Sequence, residues 1–314
     1  MNKLFLLIVL PILSLCKAQN NTSKMESILS PYSFTTHYSS LKEGQIAYTK
    51  EGTGKPVLLF IHGLSSNADA WSRNIEELKK YFTCIAIDLP GHGKSYKKAE
   101  EFTPTYFAKT IKEFADQQKI KQFVLIGHSM GGQASIKFAQ LYPKYVEKLI
   151  LIAPAGIEEF SEAESSTLKT FTTRDFVIKT SDEQIDKNYS LNFYKMPNEA
   201  KKMVDERKKI KTAHDFNDHA LAIEKSVSGM LDDKVIGDIQ NLKLPVLFLF
   251  AQNDMLIPNK FLHPLMTIND VAGKAQELMP KAKIIIIPES GHFLQFEKPE
   301  MVNKEIRTFI SSYQ

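Results

Sequence analysis

Residues 127–132 read Gly-His-Ser-Met-Gly-Gly, which sets Gly127 and Gly131 two positions either side of Ser129. The segment follows the apolar run Phe123 to Ile126 and precedes a helix-compatible stretch from Gln133. A serine on a sharp strand-to-helix turn holds its hydroxyl out for nucleophilic attack, at the cost of a strained backbone. The same turn brings strand and helix so close that a side chain two residues away would collide with them, which explains the glycines. The following helix N-terminus supplies free amides that favour developing negative charge. Such a serine suits acyl transfer, in which the hydroxyl attacks a carbonyl and forms a covalent intermediate.

A serine hydroxyl needs a base. Of the eight histidines, His292 in Ser290-Gly291-His292-Phe293 lies just beyond the last apolar run, Ile284 to Ile287. In an open parallel sheet, reactive groups gather beyond the carboxyl ends of strands. The base in turn needs a carboxylate to fix its tautomer and stabilise the imidazolium. Asp254 follows the run Val246 to Phe250 and completes the chain order Ser, Asp, His. Glu158 and Glu159, beyond Leu149 to Ile152, offer a second location for the acid, and Asp270 a weaker third. For the oxyanion, the backbone amides of Leu64 and Met130 are the candidates. Leu64 lies in His62-Gly63-Leu64 after the run Val57 to Ile61, and Met130 follows the nucleophile. His62 is expected to order its loop through its ring nitrogens, and Gly63 to permit the tight turn. His128 is expected to pack beneath the serine. Asp88 to Ser95, dense in turn formers, reads as a shaped loop without a chemical role.

These residues need a scaffold that places strand ends side by side. Unbroken apolar runs at Val57–Ile61, Cys84–Ile87, Phe123–Ile126, Leu149–Ile152, Val246–Phe250 and Ile284–Ile287 suit strands buried on both faces, and Gln45–Thr49 alternates. Helix-like stretches lie between them, including Ile75–Tyr81, Thr105–Gln118, Gln133–Leu141 and Met301–Ser311. The fold class is therefore α/β, a mostly parallel sheet flanked by helices. The alternation stops between Ala155 and Asn241, where charged, helix-compatible segments predict an inserted helical cap. The expected division is 1–18 signal peptide, 19–33 flexible leader, 34–154 and 242–314 core, and 155–241 cap.

Hydrophobic content of 43% and charged content of 24% describe a globular chain. The net charge of +4 is small, and the basic residues are not gathered into one block, so nucleic acid is not an expected partner. Lys3, the apolar run Leu4 to Leu13 and the small residues up to Ala18 predict a secretory signal and export to the periplasm or medium. An N-terminal membrane anchor or lipidation at Cys16 are the alternatives, and membrane contact is expected only if that segment is retained or lipidated. Cys84 would then be the one cysteine of the mature chain, and its apolar neighbours predict a buried thiol. The basic stretch Lys195 to Lys211 is interleaved with Glu199, Asp205 and Glu206, and reads as a solvated helix face. The spacing in His214 to His219 matches no ordinary zinc site. No metal or cofactor is expected.

Taken together, His62-Gly63, Asp88 to Ser95, Gly127 to Gly132, Asp254 and Ser290 to His292 resemble the α/β-hydrolase superfamily over roughly residues 34 to 312. Within it the chain is similar to carboxylesterases, C–C bond hydrolases and cofactor-free haloperoxidase-like enzymes. Haloalkane dehalogenases and epoxide hydrolases of the same fold carry an aspartate where Ser129 stands. The resemblance implies ester hydrolysis of a small-molecule substrate by a Ser129–His292–Asp254 triad. C–C cleavage or a haloperoxidase-like reaction with the same groups is the alternative, as is a non-catalytic ligand-binding protein.

Overall fold

A computed structural model of the chain describes residues 22–312. The expected signal peptide and Cys16 lie outside them. Among the described residues eight strands form one sheet: β1 (Thr36–Ser40), β2 (Gln45–Glu51), β3 (Val57–Ile61), β4 (Thr83–Ile87), β5 (Phe123–His128), β6 (Val146–Ile152), β7 (Val246–Ala251) and β8 (Lys283–Ile287). Their spatial order is β1-β2-β4-β3-β5-β6-β7-β8. β1 and β2 run antiparallel at one edge, and every pairing from β4 to β8 is parallel. The parallel strands thus end on one side, which is where β5, β7 and β8 deliver the loops of Ser129, Asp254 and His292. β1 escaped the sequence reading because it is a polar edge strand, THYSS, with only Ser39 buried.

The unbroken apolar runs are explained by burial on both faces. Leu59, Ile61, Ile85, Ile87 and Leu125 belong to one core. Leu58, Phe60, Cys84, Ala86, Val124 and Ile126, their neighbours in sequence, belong to the other. Alternate side chains of a strand point to opposite faces, so no position can be polar. Cys84 is buried in the second core, and burial pushes its thiol pKa up to about 12. Ahead of the sheet lies a short helix α1 (Met25–Ile28), followed along the chain by α2 (Ser72–Leu78), α3 (Pro104–Gln117) and α4 (Met130–Leu141). The chain between β6 and β7 carries α5 (Glu162–Phe171), α6 (Arg174–Lys179), α7 (Asp182–Ser190), α8 (Lys201–Lys209), α9 (Phe216–Asp232) and α10 (Ile236–Ile239). The last three are α11 (Ile268–Leu278), α12 (Leu294–Glu297) and α13 (Pro299–Ser311). α3, α4 and α11 cover the first face and α2 and α13 the second. Among the described residues no helix is long and apolar enough to cross a membrane.

Two expectations are corrected. The flexible leader over 19–33 is, in its described part, a packed strap. Met25 and Leu29 are buried with Val177, Ile210, Phe216 and Ile223 of the helical insertion. The Met25 amide donates to Asp215 Oδ1 at 2.7 Å, and the His214 amide to Ser23 O at 2.9 Å. A polar composition concealed three apolar anchors, because Met25, Leu29 and Tyr32 are spaced by a short helix and not by a regular strand. The second correction concerns Lys195 to Lys211, whose basic face is only partly solvated. Arg207 is buried on α8 with its guanidinium 5.2 Å from the centre of the Phe216 ring, an arrangement stabilised by cation–π attraction.

Asp88 joins strap and sheet. Its buried carboxylate accepts the Tyr32 hydroxyl at 2.7 Å and the Ala68 and Lys94 amides at 2.6 Å each. Burial raises its pKa, and these donors oppose the rise. Asp88→Ala would strand two buried donors, the Tyr32 hydroxyl and the Ala68 amide, each worth about 1–3 kcal/mol when unpaired, and the half-buried Lys94 amide. The expected result is a loss of about 3 kcal/mol or more of unfolding free energy, read from the midpoint of urea denaturation.

Candidate active site

Ser129 stands between β5 and α4 at φ 52° and ψ −119°, in the left-handed region that a non-glycine residue rarely occupies. Close packing holds it there. A β-carbon on Gly127 would lie 2.4 Å from Gly131 O, and one on Gly131 would lie 2.4 Å from both Ile61 O and His62 O. The helix therefore sits directly against the ends of β3 and β5. The Ser129 amide donates to Ile152 O at 3.0 Å, and its carbonyl accepts the Gly132, Gln133 and Ala155 amides. Backbone contacts on both sides thus maintain the strain. Met130 opens α4, where the first amides lack partners within the helix.

Asp254 and His292 meet although they lie on different strands' loops. His292 Nδ1 and Asp254 Oδ2 are 2.8 Å apart, and both residues are buried. The other carboxylate oxygen, Oδ1, accepts the Leu256 and Ile257 amides at 2.8 and 3.0 Å. The side chain is thereby locked by its own loop, as a turn-forming aspartate is. With Nδ1–H donated to the carboxylate, the neutral ring keeps its Nε2 lone pair available to another proton. Glu158, Glu159 and Asp270 do not take this position. Glu158 contacts Asn259 and His263, Glu159 pairs with Lys274 at 3.6 Å, and Asp270 caps α11 through Thr267.

His62 works on its loop through both ring nitrogens. Nδ1 donates to Gly63 O at 2.7 Å, and Nε2 accepts the Leu89 amide at 3.0 Å. Burial lowers its pKa to about 4, so the ring is neutral, as this donor–acceptor pair requires. A β-carbon on Gly63 would press on His128 Nδ1 and Ser129 Cβ at 3.0 and 3.1 Å. His128 Nε2 donates to the backbone carbonyl of His292 at 2.9 Å, and burial holds the His128 pKa well below the usual histidine range. The residue before Ser129 therefore fixes the loop that carries His292, a role with no local signature. His92 also donates to its own loop, at Pro90 O, and His219 of α9 donates to Gly91 O at 2.7 Å.

Ser129, His292, Gly63 and Leu64 border one cavity of about 460 Å³, within the range of small-molecule sites. Leu168, Val227, Met230, Leu231, Ile236 and Leu256 give it an apolar wall drawn mostly from the helical insertion. The insertion is tied to the histidine loop by Glu297, whose carboxylate accepts the Gly291, Tyr194 and Lys195 amides at 2.8, 3.1 and 2.5 Å. Asn192 O accepts the Phe293 amide at 2.9 Å. Glu297 and Asn192 escaped sequence reading, since each acts on backbone about a hundred residues away.

A family profile described as the alpha/beta hydrolase fold matches residues 56–299. Among curated proteins, the chain is 26% identical over 261 residues to a dihydrolipoyllysine-residue acetyltransferase component of the acetoin cleaving system from Cupriavidus necator. That match covers 82% of this chain and 64% of the relative, so the relative is considerably longer. A probable hydrolytic enzyme of Pseudomonas aeruginosa superposes with a TM-score of 0.80 at 21% identity, covering 93% of this chain and 99% of that one. A carboxylesterase of Bacillus subtilis does so with a TM-score of 0.67 at 18% identity, over 91% and 94%. These structural likenesses show a shared fold.

The close approach at the turn yields a paired test. Gly131→Ala forces backbone apart and is expected to destabilise by about 2–3 kcal/mol. Gly273→Ala, within α11 where an added β-carbon meets nothing within 4 Å, is expected to be neutral or to stabilise by up to about 1 kcal/mol. Urea midpoints of the two variants against wild type measure the difference.

Proposed function

The chain belongs to the alpha/beta hydrolase fold family, and from that premise we propose that it hydrolyses a carboxylic ester through an acyl-enzyme, with Ser129, His292 and Asp254 as catalytic triad. One observation carries the reading: a carboxylate-held imidazole, at 2.8 Å, borders the same cavity as a serine on a strained turn. Ser129 Oγ bonds to the ester carbonyl carbon as its proton passes to His292 Nε2. The Leu64 and Met130 amides receive the negative charge that forms on the carbonyl oxygen. Collapse breaks the bond to the alkoxy oxygen, which leaves with the proton from His292. Water then attacks the acyl carbon, gives a proton to His292, and Ser129 leaves reprotonated with the carboxylic acid as product. The apolar wall of Leu168, Val227, Met230 and Leu231 favours an acyl group over a charged one at that end of the cavity.

Labelling with a fluorophosphonate and hydrolysis of p-nitrophenyl esters test the proposal together. Wild type is expected to be labelled on Ser129 and to turn over at least one acyl length. Ser129→Ala abolishes labelling, and Ser129→Ala, His292→Ala and Asp254→Asn each lower kcat by roughly 10⁴-fold. A wild-type protein inert to both reagents, or a Ser129→Ala variant as active as wild type, would overturn the assignment.

A further inference from the structure

A second cluster of titratable side chains lies against the same cavity. Glu158, on the segment after β6, is buried, and its two carboxylate oxygens lie 2.9 and 3.0 Å from the Asn259 amide they accept. Its Oε1 also meets His263 Nδ1 at 2.5 Å. The other ring nitrogen, Nε2, is 3.1 Å from Glu164 Oε1 on α5. Phe160 stacks on the imidazole, with ring centres 5.3 Å apart and planes 10° from parallel. Glu158, Phe160 and Asn259 border the cavity, as do Ser165 and Leu168 of α5. Asn259 belongs to the loop that begins at Asp254. One imidazole thus connects the acid-bearing loop to a helix of the cavity wall.

A histidine ring flanked by a carboxylate at each nitrogen satisfies both only as imidazolium, with two N–H donors. The neutral ring has one donor and turns a lone pair toward the other carboxylate. Glu164 is fixed independently of the ring, since its Oε2 accepts the Ser161 amide in a capping box. We propose that Glu158, His263 and Glu164 form a charge-dependent clasp that positions α5 against the acid-bearing loop and thereby sets the length of acyl group the site accepts, which rests on the ester reading above. All three act as positioning residues.

The electrostatics give the clasp a direction in pH. The Glu158 hydrogen bond, with the charges of Glu158 and Glu164, raises the His263 pKa. Burial raises that of Glu158, and Asp254 adds to the rise while His263 and the Asn259 amide oppose it. The other nearby charges are engaged elsewhere, Glu159 with Lys274 and Lys260 with Met266 O. The clasp is therefore complete above the raised Glu158 pKa and below the raised His263 pKa. A histidine with a folded pKa above its unfolded one stabilises fully at lower pH, and the contribution disappears as pH rises through the folded value.

Kinetics with acetyl and octanoyl p-nitrophenyl esters across pH, run beside amide hydrogen exchange over residues 162–171, test the clasp. In wild type the octanoyl KM is expected to climb toward alkaline pH. His263→Gln and Glu164→Gln are expected to raise it roughly two- to five-fold, the span of an ion pair of this kind, to flatten that climb, and to accelerate exchange in 162–171. The acetyl kcat should move less than the octanoyl KM. Unchanged octanoyl-to-acetyl selectivity in both variants, or faster exchange without a change in selectivity, overturns the proposal. Should neither ester react and Ser129 stay unlabelled, the ester reading falls separately. Exchange then decides the clasp alone: acceleration in His263→Gln upholds the positioning of α5, and unchanged protection overturns it.

Discussion

The two oxygens of the Asp254 carboxylate have separate tasks, and much of the site depends on that division. Oδ1 is occupied by the Leu256 and Ile257 amides of its own loop, so the side chain cannot rotate without stranding buried donors. Oδ2 is therefore presented in one direction, toward His292 Nδ1. The imidazole is held from its backbone as well, because His128 donates to the His292 carbonyl. A ring fixed at Nδ1 and at its main chain has little freedom left, and His292 borders the same cavity as Ser129. Preorganisation of this kind means the dipoles need not be reoriented during reaction.

The constraint on Ser129 is steric where that on His292 is electrostatic. Gly127 and Gly131 allow α4 to lie within contact of β3 and β5, and that contact leaves Ser129 no relaxed conformation. Strain at a single residue costs of order 1–3 kcal/mol and persists only when its surroundings over-determine it. Here they do, through the Ile152 carbonyl on one side and the Ala155, Gly132 and Gln133 amides on the other. Both constraints rest on the same feature of the sheet: β5, β6, β7 and β8 are adjacent and parallel, so loops distant in sequence emerge side by side.

That feature also explains what could be read from the sequence. An apolar run followed by a turn marks a strand end, and in a parallel sheet strand ends converge. That rule located the strands from Val57 to Ile287, and it is the ground on which Ser129, Asp254 and His292 are proposed as a triad. The elbow glycines were legible because the crowding they relieve is local. Contacts without local pattern were not legible. Tyr32 on Asp88, Glu297 on three amides, and His263 between Glu158 and Glu164 join segments whose spacing in sequence carries no periodicity. The strap was misread for a related reason: its few apolar residues acquire a face only when the insertion is there to receive them.

The same distinction separates a rigid part of the molecule from a yielding one. Ser129, His292 and Asp254 are anchored at the ends of strands buried on both faces, where displacement would expose close-packed core. The wall of the cavity comes from the helical insertion, and much of what joins it to the frame is polar: the Glu297 amide bonds, the Glu158–His263–Glu164 cluster, and the strap bonds at Asp215 and Ser23. Such bonds exchange with water, and even those to a carboxylate contribute a net of only about 1.5–3 kcal/mol each. Apolar contacts add to these tethers: Ala222, Val235 and Ile239 of the insertion reach into the sheet core, and small clusters form at Met25 and Phe293. Under the proposed ester hydrolysis, the physical expectation is a frame that keeps its geometry while the insertion yields at its polar contacts, so that acyl selection responds to charge and pH more readily than the chemistry does.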